Sequence, residues 1–338
     1  MFVCDGLKSQ RFVNLFQRFV RKLFARSLCV IVHLFGARRA DNHAAHVVFA
    51  QTPCKRELRH RQAFAFGDWP QLFHFLQLRF IQITAVHEHV LLRVGGAPEE
   101  IGRQCAALAL RPAARMLDYP LELVASQLGS ARLARLALPA LDRRGRRLAA
   151  RLPPRHRREL VALGEAVGDR HLVVRGNTLF DLKNLRAWRL FGCSSLAAGP
   201  GRTATGGPLL ARNLDFFPLG YLHRYGLVTV YKGNGLRPFL AVGFPGTVGV
   251  FSGMNDAGLA LATHEVFGPV GRGFDPRGEP FAASCRRALE ECATVAEAEA
   301  LFRATRRTTA VSVAACDRVG PAVFELSPER VVRRDPHG

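Results

Sequence analysis

Apolar and polar positions follow three different regimes along this 338-residue chain. In residues 193–338 the runs YGLVTVYKG (225–233), PFLAVGF (238–244), VGVFSGMN (248–255) and GLALATHEV (258–266) are short and β-rich, with glycine and asparagine turns between them. That is the pattern of consecutive antiparallel strands. Residues 279–292 and 294–304 then switch to helical periodicity, and Thr294 with Glu297 makes a capping-box pattern at the second start. Strand-like runs return at 308–317 and 321–334. Strands, two helices and strands again predict an α+β layered fold in which helices cover packed antiparallel sheets.

Residues 91–192 read as mainly helical. The stretch 97–116 opens with Pro98, Glu99 and Glu100, as a helix N-terminus should, and sets Ile101, Cys105, Leu108 and Ala109 at helical spacing, which makes Cys105 a core residue. Residues 133–168 alternate leucine stripes with arginine, with breaks expected at Pro139, Gly145 and Pro153–Pro154. Those arginines are expected to form a solvated face. A short apolar strand is predicted in 171–175, ahead of Asn177 and Asp181.

Residues 1–90 differ again, holding 7 of the 12 histidines and 12 of the 24 phenylalanines. Phe12, Phe16, Phe19 and Leu23 would stripe a basic amphipathic helix. The abrupt change near VGGAPEEIG (94–102) equally suits an unrelated extension or a mis-assigned start, so no function is drawn from this segment.

Composition narrows the classes. With 48% hydrophobic and 22% charged residues the chain is expected to fold rather than stay disordered. The net charge of +21 raises nucleic-acid binding, but residues 1–90, 91–190 and 191–338 carry excesses of +8, +10 and +3, and only 5 of the 48 basic residues are lysines. Aromatic stacking positions and a recognisable binding motif are missing, so no nucleic acid is expected, and a basic binding protein stays as the alternative outside enzymes. No apolar run reaches membrane-spanning length and the N-terminus lacks the order of a secretory signal, so a soluble, cytoplasmic protein is expected. The eight cysteines, at 4, 29, 54, 105, 193, 285, 292 and 316, form no CxxC pair, which indicates neither a zinc site nor a disulfide scaffold.

Candidate chemistry gathers at FGCSSL (191–196). A catalytic cysteine needs a base or a positive charge to act as thiolate. His223 or His264, oriented by Asp215, would make a Cys193/His/Asp hydrolase. A second solution cuts the bond between Gly192 and Cys193, so that the new α-amino group becomes the base. Gly192 suits that scheme because its carbonyl is open to the adjacent thiol. Arg212 and Asp215 follow within 22 residues of Cys193, a separation that a hairpin spans, and Asn255 sits in a turn between strands where its amide is able to donate to an oxyanion. Each alone has a plainer explanation: a buried thiol, a surface ion pair, a turn asparagine.

In order, GCSSL, GGPLLARNLDF, GMNDAGLALATHEV and ACDRVGPAVFELSP resemble the acyl-coenzyme A:6-aminopenicillanate acyltransferase family, relatives of choloylglycine hydrolases and penicillin V acylases among the cysteine N-terminal-nucleophile hydrolases. The likeness covers about residues 93–338. It implies a four-layer αββα sandwich made as a precursor that cuts itself between Gly192 and Cys193, leaving a helical α-chain (91–192), a catalytic β-chain (193–338) and an αβ heterodimer. Cys193 would then be the nucleophile, Arg212 and Asp215 would support its thiol and α-amino group, and Asn255 would help build the oxyanion hole. The implied substrate is a linear amide or an acyl-thioester, with transfer to water or an amine, and no metal or cofactor. Relatives usually continue past a stretch like VVRRDPHG into a threonine–asparagine–histidine motif. This chain stops at Gly338, so a truncated and inactive member is a further expectation.

Overall fold

The computed structural model describes residues 89–182, 191–204, 206–217, 219–266 and 273–336, together with strand backbone at 28–34, 45–51, 63–65 and 84–86. Of residues 89, 90, 191 and 215 it describes the backbone alone. The stripe expected at Phe12–Leu23 lies outside the described residues.

The alternating runs become strands of one large sheet. Strands β4 (Thr84–Val86), β5 (His89–Gly96), β8 (Leu227–Gly233), β9 (Phe239–Gly243), β10 (Ser252–Asn255), β11 (Ala260–Glu265), β12 (Val311–Cys316), β13 (Pro321–Leu326) and β14 (Val331–Arg334) lie side by side in the order β14-β13-β12-β11-β10-β9-β8-β5-β4. All pairings are antiparallel except β5 with β8. A second sheet contains the hairpin β6 (Phe191–Ala198) and β7 (Leu209–Phe216). It is extended beside β7 by the backbone of β1 (Leu28–Leu34), β2 (Ala45–Gln51) and β3 (Ala63–Ala65).

Strand periodicity of two gives each face of the large sheet its own partner. Val228, Leu240, Val242, Met254, Ala260, Ala262, Ala314 and Cys316 point at the hairpin and bury Leu210 and Ala197 between the sheets. Their alternates, including Tyr231, Phe239, Ala241, Leu261, Val313 and Phe324, face the helices in the main core. Those helices are α1 (Pro98–Cys105), α2 (Tyr119–Leu128), α3 (Ala131–Ala149), α4 (Pro154–Val167), α5 (Arg170–Thr178), α6 (Phe281–Glu291) and α7 (Val295–Ala304). The protein is thus α+β with a large, mainly helical segment ahead of the hairpin. Helices, large sheet and small sheet make three layers, and a fourth is not among the described residues. No described helix is long and apolar enough to cross a membrane.

Local signals explain most helix ends. Pro98 opens α1 with Glu99 and Glu100 in its first turn, and Cys105 is buried as expected. Thr294 caps α7 by accepting from Glu297 N at 3.2 Å. Two expectations are corrected. Residues 171–175 are not a strand but part of α5, started by Asp169 accepting from Leu172 N at 2.9 Å. A short apolar run does not by itself distinguish strand from buried helix, and the cap decides it here. Helix α3 also runs unbroken through Pro139 and Gly145. Pro139 is exposed, so the carbonyl its missing N–H leaves unpaired lies on the solvent side of the helix, and Gly145 lets α5 approach so closely that a Cβ would stand 2.8 Å from Thr178 Oγ1.

Candidate functional site

The hairpin register assembles the site. Ser195 lies directly opposite Arg212, Cys193 opposite Leu214 and Gly192 opposite Asp215. Directly opposed residues of an antiparallel pair share a face, so Cys193, Ser195, Leu210, Arg212 and Leu214 all point from the hairpin toward the large sheet. Cys193 is partly buried against the core, while Gly192 is exposed.

Arg212 is buried, and its guanidinium bridges the two sheets. Nη2 donates to Cys193 Sγ at 3.1 Å and to Thr263 O at 2.6 Å, and Nη1 donates to Phe251 O at 3.2 Å and to Ser252 Oγ. A thiolate formed at Cys193 would meet this buried guanidinium, already held in place by Thr263, Phe251 and Ser252. The other described cysteines are 105, 285, 292 and 316, all buried. Burial pushes the Cys285 and Cys316 thiols up to about 12 and Cys292 to about 11, so these stay protonated and inert. Cys193 alone in this group is both accessible and beside a guanidinium.

The histidines do not meet the thiol. His223 is exposed in the turn Leu222–Tyr225. His264 Nε2 lies 2.7 Å from Ser195 Oγ, and no hydrogen bond between His264 and Cys193 is seen among the described residues. Burial, with Arg212 adding to it, pushes His264 down to about 4 against a hydrogen bond to the Ser312 backbone, so the ring is neutral at neutral pH.

Asn255 is placed on the other face of the large sheet. Its neighbour Met254 faces the hairpin, whereas Asn255 faces α6 and is 1% exposed. Nδ2 donates to Leu289 O at 3.0 Å and Cys292 O at 2.6 Å, and Oδ1 accepts from Ala257 N at 3.2 Å and Leu259 N at 3.0 Å. Both amide hydrogens are thus engaged by these two carbonyls. The residue ties the β10–β11 turn to the C-terminal end of α6.

Polar links that no motif announced join the helical segment to the residues after Cys193. Asp181 Oδ1 accepts from Phe281 N at 3.1 Å and from Thr308 Oγ1, capping α6 where Pro280 has no side chain to do so. Asn177 Nδ2 donates to Gly246 O at 2.8 Å and Oδ1 accepts from Val248 N at 2.7 Å, which fixes the loop before Phe251. Deeper in, Arg286 holds Glu159 through two bonds of 2.8 and 2.6 Å and Glu290 through one of 2.8 Å. His156 Nε2 is 2.8 Å from Glu290, and Arg155 joins at 2.6 Å. Burial alone would raise the Glu290 carboxyl, but Arg286, His156 and Arg155 hold it well below the ordinary range. Only the i,i+4 spacing of Arg286 and Glu290 was visible in the sequence.

No curated protein matches the chain. Residues 202–337, which include Arg212, Asp215, Asn255 and His264 but not Cys193, match the family model described as Acyl-coenzyme A:6-aminopenicillanic acid acyl-transferase, the family that the motifs themselves resemble.

Proposed function

We propose that the protein is an autoprocessing cysteine acyltransferase or amidohydrolase acting on a linear amide or an acyl-thioester. The observation that carries this reading is the contact of Arg212 Nη2 with Cys193 Sγ at 3.1 Å, in the one accessible thiol of the described residues. In processing, the Cys193 sulfur attacks the Gly192 carbonyl carbon, and the peptide C–N bond breaks to give a thioester and a free Cys193 α-amine. Water then releases the Gly192 carboxylate and the thiol. In turnover the α-amine takes the thiol proton, the thiolate attacks the acyl carbon, and the leaving amine or thiol takes that proton away. Water or an acceptor amine completes the cycle. Arg212 holds the thiolate, and Asp215, opposite Gly192 in the register, is proposed to hold the new ammonium. A part for Asn255 at the oxyanion would require its amide to release Leu289 or Cys292.

The test is intact mass spectrometry of the protein beside Cys193→Ala, with an acyl-substrate screen of both. Two chains of about 21 and 16 kDa, at roughly 110 Da per residue, with the smaller beginning at Cys193 and neither seen in the variant, are expected. A Cys193→Ala protein that is processed and fully active would refute the proposal. The Cys/His/Asp alternative gains no contact to favour it, because His264 is bonded to Ser195.

A further inference from the structure

Strand β6 is the outermost strand of its sheet, paired among the described residues with β7 alone. Its ladder to β7 sets register and direction but not its distance from the large sheet. Two polar links hold it there. Ser195 Oγ reaches His264 Nε2 directly across that gap at 2.7 Å, whereas Cys193 is linked through Arg212 of the neighbouring strand β7, 3.1 Å from its sulfur. Cys193 and Ser195 share the inward face two residues apart, so the two attachments are about 7 Å apart along the strand. Both end on the same element: Arg212 also donates to Thr263 O, the residue before His264 in β11.

We propose that His264, acting through the Ser195 hydroxyl, is a positioning residue that sets the Cys193 thiol against Arg212; this rests on the reading of Cys193 as nucleophile. His264 pairs across the sheet with Ser312. A neutral imidazole carries one N–H, and with that proton on Nδ1 the ring presents Nε2 as an acceptor to which the Ser195 hydroxyl donates. The depressed basicity that comes with burial makes the ring a poor general base but a fixed acceptor. Severing the link frees the strand to move away from β11 by a fraction of an ångström or more, a displacement to which nucleophile geometry is sensitive.

The experiment measures the rate at which iodoacetamide alkylates Cys193, read by peptide mass on the full chain, with the melting temperature of each variant alongside. Ser195→Ala and His264→Leu should each slow alkylation about tenfold, and the double variant should be no slower than the slower single one, because both cut one link. His264→Gln, whose amide oxygen replaces Nε2 as acceptor, should return to within about threefold of the unaltered protein. Unchanged or faster alkylation in both single variants, additive losses, or no recovery with glutamine would each overturn the proposal, as would melting temperatures that fall while alkylation does not. Ser195→Ala removes a single oxygen from a half-buried position, so it keeps the test open should a histidine variant fail to fold. The alkylation rate is readable whether or not the 192–193 bond is cut. Failure of the nucleophile reading shows separately, as a Cys193→Ala protein that still processes and turns over.

Discussion

Replacing Glu159 by glutamine removes one charge from the buried cluster that binds the helical segment to α6. Arg286 is 3% exposed and Glu159 2%. The guanidinium spends three of its bonds on carboxylates and a fourth, at 2.8 Å, on Val248 O, and lies 4.7 Å over the Tyr231 ring. Taking away one partner leaves a desolvated charge short of its counter-ion, which costs about 3–5 kcal/mol. Replacing both ends with apolar residues of similar volume removes the attraction and the desolvation penalty together. Glu159→Leu with Arg286→Met should therefore be less destabilised than either Glu159→Leu or Arg286→Met alone. Urea unfolding of the four proteins closes this double-mutant cycle. A loss below about 1 kcal/mol in Glu159→Gln, or a double variant that loses the sum of the single effects, would refute the reasoning. Glu159 precedes and Arg286 follows the 192–193 bond. In a self-cleaved protein Glu159→Gln should thus also lower the urea concentration at which the two chains part.

Burial and Arg286 hold His156 down to about 4 from an ordinary 6.5. The unfolded chain then takes up this proton first as pH falls, so about 3 kcal/mol of stability present above pH 6.5 should be lost by pH 4, and His156→Gln should flatten the urea midpoint across that window. Asn255→Ala should cost about 2–4 kcal/mol by orphaning the buried carbonyls and amides it serves, read as a lower urea midpoint; a fully stable variant with lost turnover would instead place Asn255 in the chemistry. Arg212→Met should reduce turnover and processing roughly a hundredfold or more, since it removes the preformed charge beside Cys193, and single-turnover kinetics would show it. At Gly102 a Cβ would strike the Glu159 carbonyl oxygen where α1 crosses α4, so Gly102→Ala should lower stability by about 1–3 kcal/mol in thermal unfolding.

Much of this was written locally. The two-residue alternation in 227–265 and 311–326 determined which side chains face helices and which face the hairpin, because a strand turns successive residues to opposite sides. Pro98 and Thr294 marked their helix starts through backbone groups within one turn, and the spacing of Cys193 and Arg212 was short enough for a hairpin to bring them together. Tertiary structure decided what local preference leaves open. The apolar run at 171–175 satisfies either element, and Asp169 with the packing of α3 made it helix. Pro139 was tolerated because its turn faces water. Asn255 looked available for chemistry because a turn asparagine carries no mark of direction, and its amide was taken by two carbonyls at the end of α6. The pairs Ser195 with His264, Glu159 with Arg286 and Asp181 with Phe281 join residues 69, 127 and 100 positions apart. No local preference encodes such a meeting, which arises only when the sheets and helices pack and every buried donor must find the acceptor left beside it.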